Sequence, residues 1–133
     1  MNGEMRLHAV TVLVDDYDAA IAHYVDDLGF VLLEDTRLSD TKRWVRVAPD
    51  AETGSCLLLA QASTPEQQAL IGRQAGGRVQ FFLHVADFEA EFARMEARGV
   101  QFIDEPRQEE YGKVIVFADL YGNLWDLVEP RHG

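Results

Sequence analysis

A seven-residue segment near the start of the chain recurs in its second half. Residues 14–20 read VDDYDAA and residues 85–91 read VADFEAE, an offset of 71 positions. Each copy follows an apolar run and places an Asp, Asp16 or Asp87, where it can N-cap a helix. A helical pattern then leads to a Gly and a second apolar run. Because a strand-helix-strand unit cannot bury its apolar face alone, the repeat predicts two paired modules.

The two copies predict the same succession of elements. The first copy predicts strands at residues 7–14, 30–34, 43–48 and 56–61. The second predicts strands at residues 79–85, 101–102, 113–118 and 124–128. Each copy carries one helix, the first beginning after Asp16 and ending at Gly29, the second at residues 88–98. Thr64 and Pro65 predict a further short helix between the copies.

This order of elements sets the expected fold class and domain plan. The predicted fold is α+β, with two tandem βαβββ modules forming a curved mixed sheet around a cavity and the helices outside. We expect a single domain over residues 1–133, with module one at 5–62, a connection at 63–78 and module two at 79–129. A cavity between paired sheets is a natural place to hold a small molecule.

Charge and composition narrow the classes of partner. The chain has 23 acidic and 12 basic side chains, a formal charge of −11, which would repel nucleic acid and an anionic membrane surface. Its one cysteine, Cys56, cannot form an internal disulfide, and its apolar runs are shorter than the ~20 residues of a membrane span. Residues 1–4 show no start of a cleavable signal segment. We therefore expect a cytoplasmic protein that binds neither nucleic acid nor membranes.

Several motifs along the chain resemble those of one family. They are Val14-Asp15-Asp16, Tyr24 with Leu28-Gly29-Phe30, and Asp119-Leu120-Tyr121-Gly122-Asn123 ahead of Trp125-Asp126. Together with the duplication, they resemble the vicinal oxygen chelate superfamily, which includes glyoxalase I, extradiol dioxygenases, fosfomycin-resistance enzymes and bleomycin-resistance proteins. The resemblance covers nearly the whole chain and implies the fold. Function has to be argued from the site, because members range from metal-dependent enzymes to metal-free binders.

The resemblance also implies where a metal would be bound. Enzymes of this superfamily hold one divalent ion with His and Glu side chains from matching strands of the two modules. The corresponding positions here are occupied by Ala9, Leu58, Gln80 and Asp126. Only one amide and one carboxylate remain of a set that usually has three or four strong ligands. We therefore expect no metal and no other cofactor, the alternative being one divalent metal ion.

Histidines keep the metal-dependent alternative open. His8 lies one residue from the first ligand position, and a slip in the first strand would turn it inward, although strand alternation places it on the helix side. His84 shares a strand face with Gln80 and Phe82, where it either lines the cavity as a structural group or takes part in acid-base chemistry. His23 and His132 are predicted to be surface residues.

Aromatic and basic residues predict a ligand surface. Trp44 and Arg46 alternate on one strand and can stack on a flat ligand and pair with its anionic group, although core packing and a surface ion pair explain them equally well. Tyr111 lies in a segment resembling the loop that covers the cavity mouth in similar proteins. The predicted ligand-binding residues are Trp44, Arg46, Gln80, Phe82, His84, Tyr111 and Asp126. No catalytic residue is assigned.

The sequence is compatible with two main classes of function and with a third that it favours less. The first is a metal-free protein that binds a small apolar or aromatic molecule, akin to the bleomycin-resistance branch. The alternative is a divalent-metal-dependent lyase or dioxygenase whose atypical site uses Asp126 with His8 or His84. The third is a dimeric scaffold with a vestigial cavity. In each case a homodimer is expected, because the family composes its cavities from modules of two chains and short sheets expose strand edges.

Overall fold

A computed structural model describes residues 5–52 and 54–131. The expectations about residues 1–4 and about His132 lie outside the described residues. The chain forms two compact units, Met1–Ile71 and Gly72–Gly133. The boundary between them falls inside the predicted connection at residues 63–78. No helix within the described ranges is both long enough and apolar enough to cross a bilayer.

The first unit contains a four-stranded mixed sheet. Its elements are β1 (Ala9–Val14), α1 (Tyr17–Ala22), a π-helical segment (His23–Asp27), β2 (Val31–Arg37), β3 (Arg43–Ala48), β4 (Cys56–Gln61) and α2 (Pro65–Leu70). The strand order is β1-β4-β3-β2, in which β1 and β4 are parallel and the other neighbours are antiparallel. The first strand, β1, therefore pairs with β4, the last strand of the same module.

Local signals fix the start of α1 and the end of the π-helical segment that continues it. The Oδ2 atom of Asp16 accepts a hydrogen bond from the backbone N–H of Ala19 at 2.7 Å, which caps the helix. At the other end Gly29 has a φ of 81°, a left-handed conformation that favours glycine. The chain then turns back, and the N–H of Phe30 donates to the carbonyl of Tyr24 at 2.9 Å. The predicted cap and stop of this helix are confirmed.

One face of the first sheet is the core of the unit. Alternating residues of β1, β3 and β4 are completely buried, namely Val12, Val14, Val45, Val47 and Leu59. Tyr17, Ala20 and Tyr24 on the helix side are buried as well. This period-2 burial on the strands, with helical spacing on α1, leaves the opposite strand face free for other chemistry.

The second unit repeats the topology with one strand more. Its elements are β5 (Val79–His84), α3 (Phe88–Ala97), β6 (Gln101–Phe102), β7 (Arg107–Glu109), β8 (Gly112–Ala118) and β9 (Leu124–Pro130). The order is β5-β9-β8-β6, with β7 also paired to β8. The α+β prediction of tandem βαβββ modules is confirmed, as two mixed sheets of four and five strands.

Aromatic packing builds the core of the second unit. Phe117 is completely buried and stacks on Trp125 with ring centroids 5.7 Å apart. Phe81 packs on the same indole at 4.3 Å. Because β9 alternates, this arrangement places Trp125 with the core and Asp126 on the opposite face. Trp125 is accordingly buried, with 3% of its surface exposed.

The turn before β9 is organised by a buried aspartate. Asp119 accepts hydrogen bonds from the N–H groups of Tyr121 and Asn123, both at 3.0 Å, and from Trp125 Nε1 at 3.2 Å. The N–H of Gly122 donates to the carbonyl of Asp119 at 3.0 Å, and Gly122 has a φ of 96°. The Asp-Leu-Tyr-Gly-Asn motif therefore forms a tight turn that the Asp119 side chain holds together.

The prediction that His23 is a surface residue is wrong. His23 is buried because the π-helical segment turns its ring inward, where Nδ1 lies 3.1 Å from Asp27 Oδ2.

Strand β7 was not predicted from the sequence, since Arg107-Gln108-Glu109 has no apolar residue to alternate with a polar one. Gly112, which follows this strand, is required sterically, because a Cβ there would lie 2.2 Å from the carbonyl oxygen of Glu129.

Candidate functional site

The free face of the first sheet forms the wall of a cavity. The register pairs Thr11 with Leu58 and Leu13 with Ala60, so these side chains project from the face opposite the buried valines. A cavity of about 470 Å³ lies against them. It is lined by Thr11, Leu13, Tyr17, Thr41, Lys42, Arg43, Trp44, Leu58, Leu59, Ala60, Gln61, Ser63 and Gln67. Its size suits a small organic molecule.

Trp44 and Arg46 share this face but serve different cavities. Trp44 is 36% exposed and lines the larger one. Arg46 lines a second cavity of about 300 Å³. Its Nε donates to Glu34 Oε1 at 2.9 Å, and its NH1 group lies 3.6 Å from Cys56 Sγ. The predicted pairing of Arg46 with a surface acid is therefore present, and the structure does not bring it to the same cavity as Trp44.

Basic residues at the rim give the larger cavity its polarity. Arg43 donates to Asp35 through NH2 at 2.7 Å and to Asp18 through NH1 at 2.9 Å. These hydrogen bonds hold the guanidinium in place and raise the pKa of Arg43 above its ordinary value. Lys42 lines the same cavity, and among the described residues that line it there is no Asp or Glu. A ligand there would meet Trp44, aliphatic side chains and hydrogen-bond donors.

The second sheet presents a separate face with a different character. The register places Phe82, Asp126 and Val116 side by side on neighbouring strands. One step along, His84 lies beside Val128. Residues directly opposite each other project from the same face of a sheet. The predicted residues Phe82, His84 and Asp126 thus share a face within this unit.

Asp126 is the most unusual group on that face. It is only 8% exposed, and burial raises the pKa of its carboxyl above the ordinary range. The nearby Arg107 guanidinium opposes this increase, whereas the Asp104 carboxylate adds to it. Within residues 5–52 and 54–131, no hydrogen bond or ion pair reaches the Asp126 side chain. Perturbed carboxyl groups of this kind cluster at functional sites.

Arg107 belongs to this face and was missed by sequence reasoning. It pairs with Val114 of β8, which pairs with Val128 of β9, so it projects from the same face as His84. Its Nε donates to Glu109 at 3.1 Å, and its NH1 binds Asp104. The sequence carried no strand signal here, because Arg107-Gln108-Glu109 has no apolar residue to alternate with a polar one.

The remaining predicted residues are distributed around the second sheet. Tyr111 lies in the turn between β7 and β8 and is largely exposed. Gln80 is part of an irregularity in β5, because Val79 pairs with Leu124 while Phe81 pairs with Trp125. Consequently Gln80 lacks a regular partner on β9, although it still lies two residues before Phe82 on the strand.

The residues at the family's ligand positions do not fit the family's metal set. Ala9 and Leu58 have no lone pairs, and Gln80 is a weak ligand. His8 lies before β1 and is exposed. Among residues 5–52 and 54–131, no three His, Cys, Asp or Glu side chains are grouped so that they could hold a metal ion. Asp126 is thus the only carboxylate among the four positions.

A match to a protein-family model shows which family this chain belongs to. Residues 6–127 match the model of the Glyoxalase/Bleomycin resistance protein/Dioxygenase superfamily. The chain belongs to this superfamily. Membership agrees with the two mixed sheets built from tandem modules.

Relatives and solved structures of the superfamily cover almost the entire chain. An uncharacterised protein of Shewanella frigidimarina is 50% identical over 90% of both chains. The uncharacterised protein YurT of Bacillus subtilis is 33% identical over 94% of this chain and 99% of its own. The crystal structure of UcmS2 matches with a TM-score of 0.81 and 31% identity, over 96% of this chain and 99% of that one. TnmS3, an antibiotic binding protein from Streptomyces sp. CB03234, matches with a TM-score of 0.78 and 28% identity, over 98% and 100%.

Proposed function

We propose that this protein binds a small apolar or aromatic molecule without the help of a metal ion. The observation that carries the proposal is the face of the first sheet, where Leu58 and Ala9 stand at the family's ligand positions. Leu58 lines a cavity of about 470 Å³ together with Trp44. The similarity to the antibiotic binding protein TnmS3 supports the same class of function.

The lining of the cavity favours a flat, largely apolar ligand. Leu13, Leu58 and Ala60 supply an aliphatic wall, and burying apolar ligand surface against it contributes about 25 cal/mol per Å². Trp44 supplies a ring for stacking, at an edge that is still partly open. Gln61 and Lys42 at the rim provide donors that would orient a polar group of the ligand.

Ligand binding is tested at Trp44. The purified protein is titrated with planar aromatic compounds, including the chromophores of aromatic antibiotics, while its tryptophan fluorescence is followed. Binding is expected to quench the emission, and Trp44→Ala should weaken affinity by about tenfold, since an aromatic contact contributes roughly 0.5–1.5 kcal/mol beyond area burial. Arg46→Ala, which changes the neighbouring cavity, is the matched control and should leave affinity unchanged. Equal affinity in the wild type and Trp44→Ala would contradict this site.

Metal content is the second test. We expect well under one divalent ion per chain in protein purified without added metal, because Ala9 and Leu58 offer no ligand atoms. Elemental analysis of the wild type and of Asp126→Asn measures this directly. A stoichiometric ion in the wild type that disappears in Asp126→Asn would contradict the metal-free proposal.

One observation favours a second candidate, a metal-dependent lyase or dioxygenase. Asp126 stands at the family's terminal ligand position as a buried carboxylate, with His84 on the same face. That pair falls short of the three protein ligands of an ordinary catalytic site. The enzyme alternative therefore needs a further ligand, and the metal analysis above would reveal it.

A homodimer and a cytoplasmic location complete the proposal. Each sheet has open edges, β1 and β2 in the first unit and β5 in the second, and exposed edges are commonly covered by another chain. Light scattering at micromolar concentration is expected to give twice the chain mass of 15.0 kDa. A folded monomer would contradict the dimer.

A further inference from the structure

Asp126 is a buried acceptor whose protein partner is missing. Its side chain is 8% exposed and, within residues 5–52 and 54–131, receives no hydrogen bond or ion pair. Its neighbours on the sheet, Phe82 and Val116, carry no donor on their side chains. Buried carboxylates are ordinarily hydrogen-bonded, because leaving one without a partner is unfavourable. The Asp126 oxygens are not among the fully enclosed unpartnered atoms of the described residues, so a ligand can reach them and supply the donor.

The charged residues around Asp126 determine which charge a ligand on this face should carry. Arg107 is the nearby cation, but its guanidinium is already bound by Asp104 at NH1 and by Glu109 at Nε. These residues are three acids, Asp126, Asp104 and Glu109, and one guanidinium, so acidic side chains are in excess. An anionic ligand would be repelled from this face, whereas a cationic one would be attracted.

Phe82 supplies the second part of the recognition surface. It lies directly beside Asp126 on β5 and is 66% exposed, an unusual state for a phenylalanine. Its ring can cover the apolar part of a ligand and can also interact with a cation placed over its face. His84, two residues further on, lies beside Val128.

We propose that Asp126 binds the ammonium group of a small molecule held on the free face of the second sheet, while Phe82 contacts the apolar body next to that group. This inference goes beyond the proposed function, whose cavity lies in the first unit, and it names the ligand class of the second face as aromatic or apolar amines. A primary or secondary ammonium offers two or three N–H donors, which match the free lone pairs of the carboxylate. The role assigned to Asp126 is thus recognition of charge.

Three matched probes test the ligand class on the full-length protein. They are 2-naphthylmethylammonium, the neutral 2-naphthylmethanol and the anionic 2-naphthoate, followed by ligand-observed NMR in the presence of a chelator. The wild type is expected to bind the ammonium probe about tenfold more tightly than the alcohol, which corresponds to one charge-assisted hydrogen bond, and the carboxylate most weakly.

Two variants and one control separate the contacts. Asp126→Asn should reduce affinity for the ammonium probe about tenfold and leave the alcohol unchanged, because it removes one charge in nearly the same shape. Phe82→Ala should weaken both probes to a similar extent. Glu105→Gln removes one exposed carboxylate of the same unit and should retain the preference. Circular dichroism confirms that each variant is folded.

The possible failures are distinguishable from failure of the proposed function. If the alcohol and the ammonium probe bind equally, or if Asp126→Asn keeps the preference, the amine proposal is wrong while small-molecule binding stands. If Glu105→Gln loses the preference as Asp126→Asn does, the effect is general charge attraction and the proposal is also wrong. Absence of saturable ammonium binding at millimolar concentration overturns it, and the Trp44 titration remains an independent test of the proposed function.

Discussion

The two units share a strand order, yet their free sheet faces have opposite chemistry. In the first, the strands that pair in parallel carry Thr11 and Leu58, and the bases at the cavity rim include Lys42. In the second, the corresponding strands carry Phe82 and the buried Asp126. Because the strand order is shared while the free faces differ, the buried face of each sheet maintains the topology. The opposite face is free to diverge after duplication, and the candidate sites lie there.

The same comparison applies to the turns that precede the last strand of each unit. Asp119 is buried and accepts hydrogen bonds from Tyr121, Asn123 and Trp125. Its counterpart before β4, Asp50, is exposed and accepts one from the N–H of Glu52 at 2.7 Å. The turn is therefore a structural centre in the second unit only.

The largest expected change in stability comes from substituting Asp119 and comparing the result with the same change at Asp50. Asp119→Ala should lower the free energy of unfolding by about 4 kcal/mol, because it leaves several buried donors without an acceptor. Asp50→Ala should cost about 0.5–1 kcal/mol, since water replaces its one hydrogen bond. Denaturant titration of both variants measures the difference. Equal losses of unfolding free energy in the two variants would show that the two turns contribute equally to stability, contrary to this prediction.

The second effect separates the two faces of β5. Phe81→Ala should cost about 3 kcal/mol, because the ring packs on Trp125 in the core. Phe82→Ala should cost less than about 1 kcal/mol, since its ring is largely exposed, and should mainly weaken ligand binding. Urea denaturation of both variants gives the order. The reverse order would invert the assignment of this strand's faces and remove Phe82 and His84 from the site.

The smallest effect compares two carboxyl groups whose pKa values are shifted in opposite directions. Burial raises the pKa of Asp126, so its ionisation disfavours the folded state as pH rises through that raised value. Asp126→Asn should therefore stabilise the protein at neutral pH by about 1 kcal/mol, a gain that disappears in acid. The hydrogen bond from Arg43 lowers the pKa of Asp35, so its contribution is present above the ordinary range and is lost as pH falls through the lowered value.

Asp35→Asn is accordingly the control of opposite sign. It should destabilise the protein at neutral pH by about 0.5 kcal/mol, the typical contribution of a partly exposed ion pair. Thermal unfolding across the acid range measures both variants. Loss of stability in Asp126→Asn at neutral pH would show that this carboxylate has a partner in solution, and the ammonium proposal would lose its basis.

Elements defined by local signals could be predicted from the sequence. The caps at Asp16, Thr64 and Asp87 were recognisable because a side chain and a backbone N–H three residues away decide them. The Asp119 turn was recognisable for the same reason. The predicted bounds of β3 and β4 agree with the structure, and β1 and β2 differ by a few residues at their ends.

The candidate site was predictable only in part. Strand alternation placed Phe82 and His84 on one face, because that periodicity is fixed by backbone geometry, and the family's ligand position placed Asp126 there. It could not show that Arg46 and Trp44 line different cavities, since this depends on the ion pair between Arg46 and Glu34. Nor could it reveal Arg107, which joins the site through a three-residue strand without an apolar pattern.

The sequence by itself determined the duplication, the order of elements and the residues that replace the family's metal ligands, because each of these is written in neighbouring positions or in a repeat. The tertiary structure decided what surrounds each polar group. Asp126 lacks a partner because its neighbours across the sheet are Phe82 and Val116, and because Arg107 is held by Asp104 and Glu109. Contacts between distant strands set desolvation and charge, and these decide what a carboxylate can bind.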